Sequence, residues 1–256
     1  RGLGDVYKRQ IQSYLRDFLS TLDPHTVVVF ASTQDADAAA EYDHSLDYQV
    51  IRWPRKIMLP TPATAREMQR IIREHDIDPV WFGAAALLAL MAQAARAAGA
   101  RRIVATTHGH EVGWSMLPGA RQALRRIGNT ADVVTYISEY TRRRLVGAMG
   151  THPQWVHLPS GVSLEDFVPA TPGLKVQARA HYGLGPGPVI VCISRMVPRK
   201  GQDQLLRAMP QVRQRHPDAQ LLIIGRGGYE PTLRALAELY CPDAVMRQAR
   251  DTAELR

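Results

Sequence analysis

Short apolar runs rich in β-branched residues alternate with longer stretches of helical periodicity along nearly the whole chain. That alternation restricts the fold to parallel sheets with crossover helices. The strand-like runs are "TVVVFAS" (26–32), "YQVIRW" (48–53), "PVWFG" (79–83), "RRIVATTHG" (101–109), "DVVTYIS" (132–138), "WVHLPSG" (155–161), "PVIVCIS" (188–194) and "AQLLIIG" (219–225). Between them, "IQSYLRDFLSTL" (11–22) carries Ile11, Leu15, Phe18, Leu19 and Leu22 on one side. "TPATAREMQRIIREHDI" (61–77) starts with Pro62, where a missing N–H costs nothing. "AALLALMAQAARAAG", "GARQALRRIG", "EYTRRRLVGAMG" and the stretches 202–215 and 230–240 complete the expected helices. Residues 33–47 read as a polar loop with the strand 48–53 at its end. The run "VWFGAAALLALMAQAA" (80–95) lacks charge but is shorter than a bilayer span, which favours a buried helix.

The stretch "SLEDFVPATPGLKVQARAHYGLGPG" (163–187) breaks the alternation with Pro and Gly around one helical segment. The expected organisation is therefore 11–165 as a first domain, 166–187 as a linker with a short helix, and 188–256 as part of a second domain. A doubly wound sheet holds about five or six strands. The second series stops after two βα units, and the first begins with a helix that no strand feeds. The chain is expected to be a fragment, the first domain lacking its opening strand and the second cut short. The opening "RGLGDVYKRQ" (1–10) fits neither helix nor strand, resembles translated sequencing-adapter read-through, and is set apart as non-native.

The formal charge of +8 points to anionic partners: a nucleotide, a phospholipid surface or nucleic acid. Arg1, Lys8 and Arg9 against Asp5 in the opening segment supply +2 of that total, so the remainder stays basic. Cys192 and Cys241 are far apart, with Cys192 inside an apolar run, which fits a reduced cytosolic context without a disulfide. No secretory signal is visible.

In open α/β sheets, ligands sit beyond the carboxyl ends of strands, and three loops with chemistry fall there. "SRMVPRKG" sets Arg195, Arg199 and Lys200 between a strand and the helix at Gln202. A guanidinium fork, an ammonium and a helix N-terminus together outline a pyrophosphate site. The bland alternative is a solvated basic loop. "GRGGYE" offers Gly225, Gly227 and Gly228 for close backbone approach to a ligand, although a glycine turn between strand and helix is common. "TTHGHEVGW" places His108 and His110 on a glycine loop with Glu111 beside them. A zinc site needs three or four ligands, and no convincing further ligand is present. A histidine that hydrogen-bonds a hydroxyl or phosphate suits this loop better, against the alternative of a surface histidine without a role.

Two surfaces combine basic and apolar groups. Arg52, Arg55 and Lys56 surround Trp53, and Arg66, Arg70 and Arg73 share a helix face. Arg121, Arg125 and Arg126 follow Trp114, Met116 and Leu117. Basic heads beside interfacial aromatics suit an anionic membrane face, and equally an ordinary solvated helix.

The run of motifs from "IQSYLRDF" through "FASTQDADAAAEYD", "TTHGHEVGWSMLPGARQALRRIG", "HLPSGVSLEDFVP" and "SRMVPRKGQDQLLRAMPQV" to "DAQLLIIGRGGYEPTLRALA" resembles family 4 of the retaining GT-B glycosyltransferases. The likeness is to its actinobacterial members that mannosylate phosphatidylinositol monomannoside, and covers about residues 11–240. It implies two Rossmann-like, doubly wound parallel-sheet domains with a cleft between them. The second would hold GDP-mannose and the first phosphatidylinositol monomannoside, peripherally on the cytoplasmic face of the plasma membrane. It also implies that Arg195 and Lys200 hold the donor diphosphate and stabilise departing GDP without a metal or other cofactor. His108, or less favourably His110, would sit beside the transferred mannose, and Gly225 and Gly227 would approach the nucleotide. Departures are plain: Arg9 and Gln10 stand where the family has a Gly-Gly pair, "GVS" replaces "GVD", and the family's carboxylate motif would fall beyond residue 256. The segment "CPDAVMRQARDTAELR" (241–256) also fits poorly where base-contacting residues are expected. These 256 residues alone are expected to be inactive. The remaining alternatives are a family-4 transferase with another nucleotide sugar or acceptor, and a basic non-catalytic anion- or nucleic-acid-binding protein. The latter lacks a recognisable nucleic-acid motif, so no nucleic-acid partner is expected.

Overall fold

The computed structural model describes residues 5–162, 164, 165 and 167–248, with backbone alone over 5–10. The chain forms two compact units, dividing after Ser163. The part beyond residue 248 of the segment that fits poorly where base-contacting residues are expected, the first four residues of the segment set apart as non-native, and Ser163 of "GVS" lie outside the described residues.

The first unit runs α1 (Asp5–Leu19), β1 (Val28–Ser32), α2 (Ala36–His44), β2 (Gln49–Trp53), α3 (Pro62–Glu74), β3 (Val80–Phe82), α4 (Ala92–Ala97), β4 (Ile103–Thr106), α5 (Glu111–Trp114), α6 (Pro118–Thr130), β5 (Val133–Tyr136), α7 (Glu139–Met149) and β6 (Gln154–His157). Every strand pair is parallel. Among the described residues the strands form two sheets rather than the expected one, a β1–β2 pair and a four-stranded sheet in the order β3-β4-β5-β6. Helix starts follow local chemistry. Thr61 accepts from the Thr64 N–H ahead of α3, with Pro62 in its first turn, and Ser138 accepts from the Thr141 N–H ahead of α7.

Four local expectations are corrected. Helix α1 begins at Asp5, so residues 5–10 continue the helix rather than standing outside regular structure. The "polar loop" contains α2, because Asp35 accepts from the Ala38 N–H and opens an alanine-rich turn. No apolar stripe announces that helix, and none of its residues is buried. The alanine-rich helix expected from residue 85 is shortened to a 3-10 turn over Leu88–Met91 and α4. There the Ala85 N–H donates to Thr106 O at 2.8 Å, extending the β3–β4 ladder and delaying helix entry. Ala85, Ala89, Met91, Ala92 and Ala95 are buried, and among the described residues no helix is long and apolar enough to cross a membrane.

The core of this unit gathers Ile103 from β4, Leu124 and Ile127 from α6, and Leu145 and Met149 from α7, all essentially inaccessible. Burying each such side chain contributes about 1.5–3 kcal/mol before conformational entropy is charged. Gly128 permits the closest helix contact: a Cβ there would stand 2.0 Å from Met149 O.

The second unit runs α8 (Pro172–Tyr182), β7 (Val189–Ile193), α9 (Gln202–Arg215), β8 (Gln220–Ile224), α10 (Glu230–Tyr240) and β9 (Val245–Arg247). Helix α8 lies in the stretch read as linker, capped by Thr171 at its start and left-handed Gly183 at its end. The three strands form a parallel sheet in the order β7-β8-β9. The series therefore continues past α10, the fourth correction: β9 has three residues, one of them the buried Met246, too short for a clear period-two signal. Met196, Leu206, Met209, Leu221, Ile223 and Leu233 make the core.

Candidate functional site

The candidate residues fall into two groups, one in each unit. In the second unit, the loops after β7 and β8 are joined by backbone hydrogen bonds that continue beyond the strand ladder. Ser194 N–H donates to Ile224 O at 3.0 Å, Met196 N–H to Arg226 O at 2.9 Å, and Tyr229 N–H to Met196 O at 3.2 Å. The buried Met196 side chain anchors this turn in the core. "SRMVPRKG" and "GRGGYE" are thus one structure, held at the carboxyl ends of adjacent parallel strands.

Gly225 and Gly227 are required by that union. A Cβ on Gly225 would lie 1.9 Å from Ser194 O, and one on Gly227 would lie 2.1 Å from Met196 O. The close approach these glycines permit is to this chain's own backbone, and the Gly225 N–H donates to Arg247 O at 3.0 Å. This is a different physical reason for the glycines from the ligand approach expected from the sequence.

After Met196 the chain enters a 3-10 turn, Pro198–Lys200, that leads through left-handed Gly201 (φ 73°) into α9. Only glycine adopts that backbone without steric cost. Arg195 is half-buried, and Arg199 and Lys200 are exposed at the turn. The N-terminus of α9 follows immediately, so positively charged side chains and the positive end of a helix dipole share one end of the sheet. Gln202 reaches back from α9 to the Arg195 carbonyl at 2.9 Å, a contact sequence periodicity did not single out.

In the first unit, β4 ends in buried threonines. Trp81 Nε1 donates to Thr106 Oγ1 at 2.7 Å, Thr135 Oγ1 donates to the same oxygen at 2.8 Å, and Thr107 Oγ1 donates to Thr135 O at 2.8 Å. This network fixes the start of the loop carrying His108 and His110. Glu111 is completely buried and accepts from the His108 N–H, at 3.1 Å to Oε2 and 3.3 Å to Oε1. His110 Nε2 lies 3.5 Å from Glu111 Oε1, and the two imidazoles are parallel with centroids 6.4 Å apart. The Tyr14 ring meets His108 edge-on at 5.2 Å, while its hydroxyl donates to Leu158 O. Glu111, Tyr14 and Gly83 were not marked as positioning groups by the sequence: Tyr14 and Gly83 act through contacts distant along the chain, and the burial that makes Glu111 an acceptor for the nearby His108 N–H is not visible in the sequence.

His108 Nε2 lies 2.6 Å from Gly83 O. A carbonyl only accepts, so the hydrogen is on Nε2, and Nδ1 carries a lone pair. Burial pushes the His108 imidazole below its ordinary pKa, opposed in part by the Gly83 carbonyl and Glu111. The neutral ring is therefore a hydrogen-bond acceptor at Nδ1, suited to a hydroxyl donor. Because the folded state resists protonation, the associated stability is complete above the unfolded-state pKa of about 6.5. It is lost as pH falls through the lower folded-state value. Melting temperatures measured across that window should fall on acidification, and His108→Gln should flatten this part of the profile. Parallel profiles for the two proteins would contradict the assignment.

Among the described residues, no group of three or more His, Cys, Asp or Glu side chains is disposed to hold a metal ion. Several arginines of the expected basic surfaces have internal partners. Arg52 is half-buried and paired with Asp43, and its neighbour Trp53 packs on Phe30 at 6.2 Å. Arg70 is held by Glu67 and Glu74, which raise its pKa further. Arg66 Nε donates to Pro62 O at 3.3 Å. Arg73 is exposed in the last turn of α3. Arg121 and Arg125 donate to Gly147 O in the last turn of α7, at 2.7 and 3.3 Å. Beside them Met116 and Leu117 are 72% and 60% exposed, and Ile57 in the loop after β2 is 65% exposed.

Residues 13–166 match the family model described as Glycosyltransferase Family 4, and residues 177–245 match Glycosyl transferases group 1. The chain is 63% identical over 228 residues to the GDP-mannose-dependent monoacylated alpha-(1-6)-phosphatidylinositol monomannoside mannosyltransferase of Corynebacterium glutamicum, covering 89% of this chain and 60% of that protein. It is 54% identical over 231 residues to the GDP-mannose-dependent alpha-(1-6)-phosphatidylinositol monomannoside mannosyltransferase of Mycolicibacterium smegmatis, with the same coverage. The chain thus spans about 60% of the length of the curated relatives it matches. Among solved structures, a glycosyltransferase from Rickettsia africae superposes with a TM-score of 0.68 at 17% identity, over 96% of this chain and 66% of that one. Sucrose-phosphate synthase from Thermosynechococcus elongatus gives 0.66 at 19% identity, over 99% and 67%. These two likenesses concern the fold alone, the parallel α/β fold of GT-B glycosyltransferases. The chain belongs to glycosyltransferase family 4.

Proposed function

We propose that the protein transfers mannose from GDP-mannose to phosphatidylinositol monomannoside, at the inositol 6-position, with retention of configuration. The observation that carries this reading is the pair Arg195 and Lys200 at the carboxyl end of β7, immediately ahead of α9. The names of the relatives supply the donor and acceptor. In the reaction, the bond between the anomeric carbon and the β-phosphate oxygen breaks, and its electron pair remains on GDP. The acceptor hydroxyl oxygen forms the new bond on the same face, and its proton is taken up by the departing phosphate. Negative charge grows on that phosphate in the transition state. Cations already in place therefore stabilise the transition state more than the ground state. Two side-chain cations and a helix N-terminus fill the role a metal would otherwise take, and His108 Nδ1 accepts from a hydroxyl of the transferred sugar.

Docking is to an anionic membrane face on the cytoplasmic side. Exposed Met116 and Leu117 would enter the interface, with the arginines of α6 behind them. Co-sedimentation with vesicles containing phosphatidylinositol should fall in the double variant Met116→Asp, Leu117→Asp; unchanged binding would remove this patch as the dock.

The function is tested by supplying GDP-mannose with either phosphatidylinositol or its monomannoside to the protein expressed from its complete reading frame. Lipid-linked mannose is expected with the monomannoside. Transfer from another nucleotide sugar, or to unmannosylated phosphatidylinositol in preference, would move the protein elsewhere in its family. Steep, sequence-blind DNA binding with no transfer would support the non-catalytic alternative.

A further inference from the structure

Gln202 opens α9 with its side chain fully buried, on the same side as the buried Leu206 and Met209. The i, i+4, i+7 spacing makes it a core position, where an apolar residue is the norm. Its amide is used unevenly. Nε2 donates to Ser194 Oγ at 2.8 Å and to Arg195 O at 2.9 Å, engaging both hydrogens. Oε1 is buried and has no hydrogen-bond partner among the described residues. Reversing the amide would set Oε1 against the Arg195 carbonyl oxygen, acceptor against acceptor, so the chemistry fixes the orientation. The Arg195 carbonyl also accepts from the Val197 N–H at 3.0 Å, which occupies its second lone pair.

A buried acceptor without a partner destabilises the fold. An apolar side chain of similar length would avoid that penalty, yet would leave the Arg195 carbonyl with one donor. We propose that Gln202 is a positioning residue: its amide ties the Ser194 hydroxyl to the Arg195 carbonyl so that the Arg195 guanidinium is presented to the donor diphosphate. Stability is given up for geometry, as at other strained functional sites. The inference rests on Arg195 as a diphosphate ligand.

The test is calorimetric titration with GDP of the protein from its complete reading frame, comparing wild type, Gln202→Met and Arg195→Ala, alongside thermal unfolding and the acceptor KM. Gln202→Met should raise the GDP Kd by about tenfold. The melting temperature should stay level or rise, and the acceptor KM should not change. A packing role alone would lower the melting temperature and leave the Kd of the folded fraction as in wild type, which would overturn the proposal. If Arg195→Ala weakens GDP binding and Gln202→Met does not, the positioning role fails and the diphosphate site stands. If neither variant changes GDP binding, the diphosphate reading itself fails and the positioning role falls with it. Should Gln202→Met not fold, the unmodified protein with 15N-labelled glutamine decides. The Gln202 side-chain amide should exchange slowly with solvent and shift on saturation with GDP, and an unshifted resonance would overturn the inference.

Discussion

Lys200→Ala is expected to lower mannose turnover by about 10²- to 10³-fold, the range seen when a preorganised group facing developing charge is removed. Lys200 closes the 3-10 turn before α9, held there by its own N–H donating to Val197 O at 3.0 Å. The backbone is therefore placed without the ammonium, and truncating the side chain should leave the turn intact. The loss should appear mainly in kcat, because the charge it answers is larger in the transition state than in bound donor. Arg195→Lys is expected to be nearly as damaging as Arg195→Ala, since an ammonium cannot reproduce a two-pronged contact with a phosphate. Steady-state kinetics with the donor and acceptor varied separately distinguish these cases. An equal loss in acceptor affinity and turnover for Lys200→Ala would remove its leaving-group role.

The largest expected effect on stability is at Gly128, far from any proposed chemistry. Its missing side chain faces Met149, and an added Cβ would stand 2.0 Å from the carbonyl oxygen, 2.6 Å from the carbonyl carbon and 2.9 Å from Cα. All three are backbone atoms, so α6 and α7 must separate to admit a methyl group. Both helices contribute fully buried core residues, Leu124 and Ile127 from one and Leu145 and Met149 from the other. Overpacking of this kind costs about 1–3 kcal/mol or more, which at about 2–4 °C per kcal/mol lowers the melting temperature by several degrees. Gly119, in the same helix, has nothing within 4 Å of an added Cβ. Gly119→Ala should therefore change stability by no more than about 0.5 kcal/mol. Differential scanning calorimetry of the two variants tests the contrast; similar melting temperatures would show that the helices yield.

The second unit was the more legible in sequence. Apolar periodicity gives helices at 202–215 and 230–240, and α9 and α10 have those bounds. The β7 and β8 runs are apolar enough to stand out against Pro- and Gly-bearing flanks. What escaped was polar or very short. Helix α2 has no buried residue and so no stripe to reveal it, and β9 has three residues. Most candidate residues were visible as residue types, but not their surroundings. "SRMVPRKG" and "GRGGYE" each show a strand-end loop. That Gly225 and Gly227 serve the packing of one loop on the other is visible only in three dimensions, because it depends on carbonyls about 30 residues away. Glu111 reads as a polar loop residue beside two histidines, yet it is the buried acceptor that holds the His108 backbone. Of the basic faces, the charges were legible and their partners less so. Arg52 meets Asp43 nine residues earlier, and Arg121 meets a carbonyl 26 residues later. Helix spacing marks Arg70 as surface, and it is also the spacing that gives it two glutamates.

The central claim is that Arg195 and Lys200 recognise the diphosphate of the donor. It is tested most directly by titrating the protein with GDP and with GMP, which share base and ribose and differ by one phosphate. GDP should bind at least about tenfold more tightly than GMP, and that preference should disappear in the double variant Arg195→Ala, Lys200→Ala. A preference for GDP that survives loss of both side chains would contradict the account.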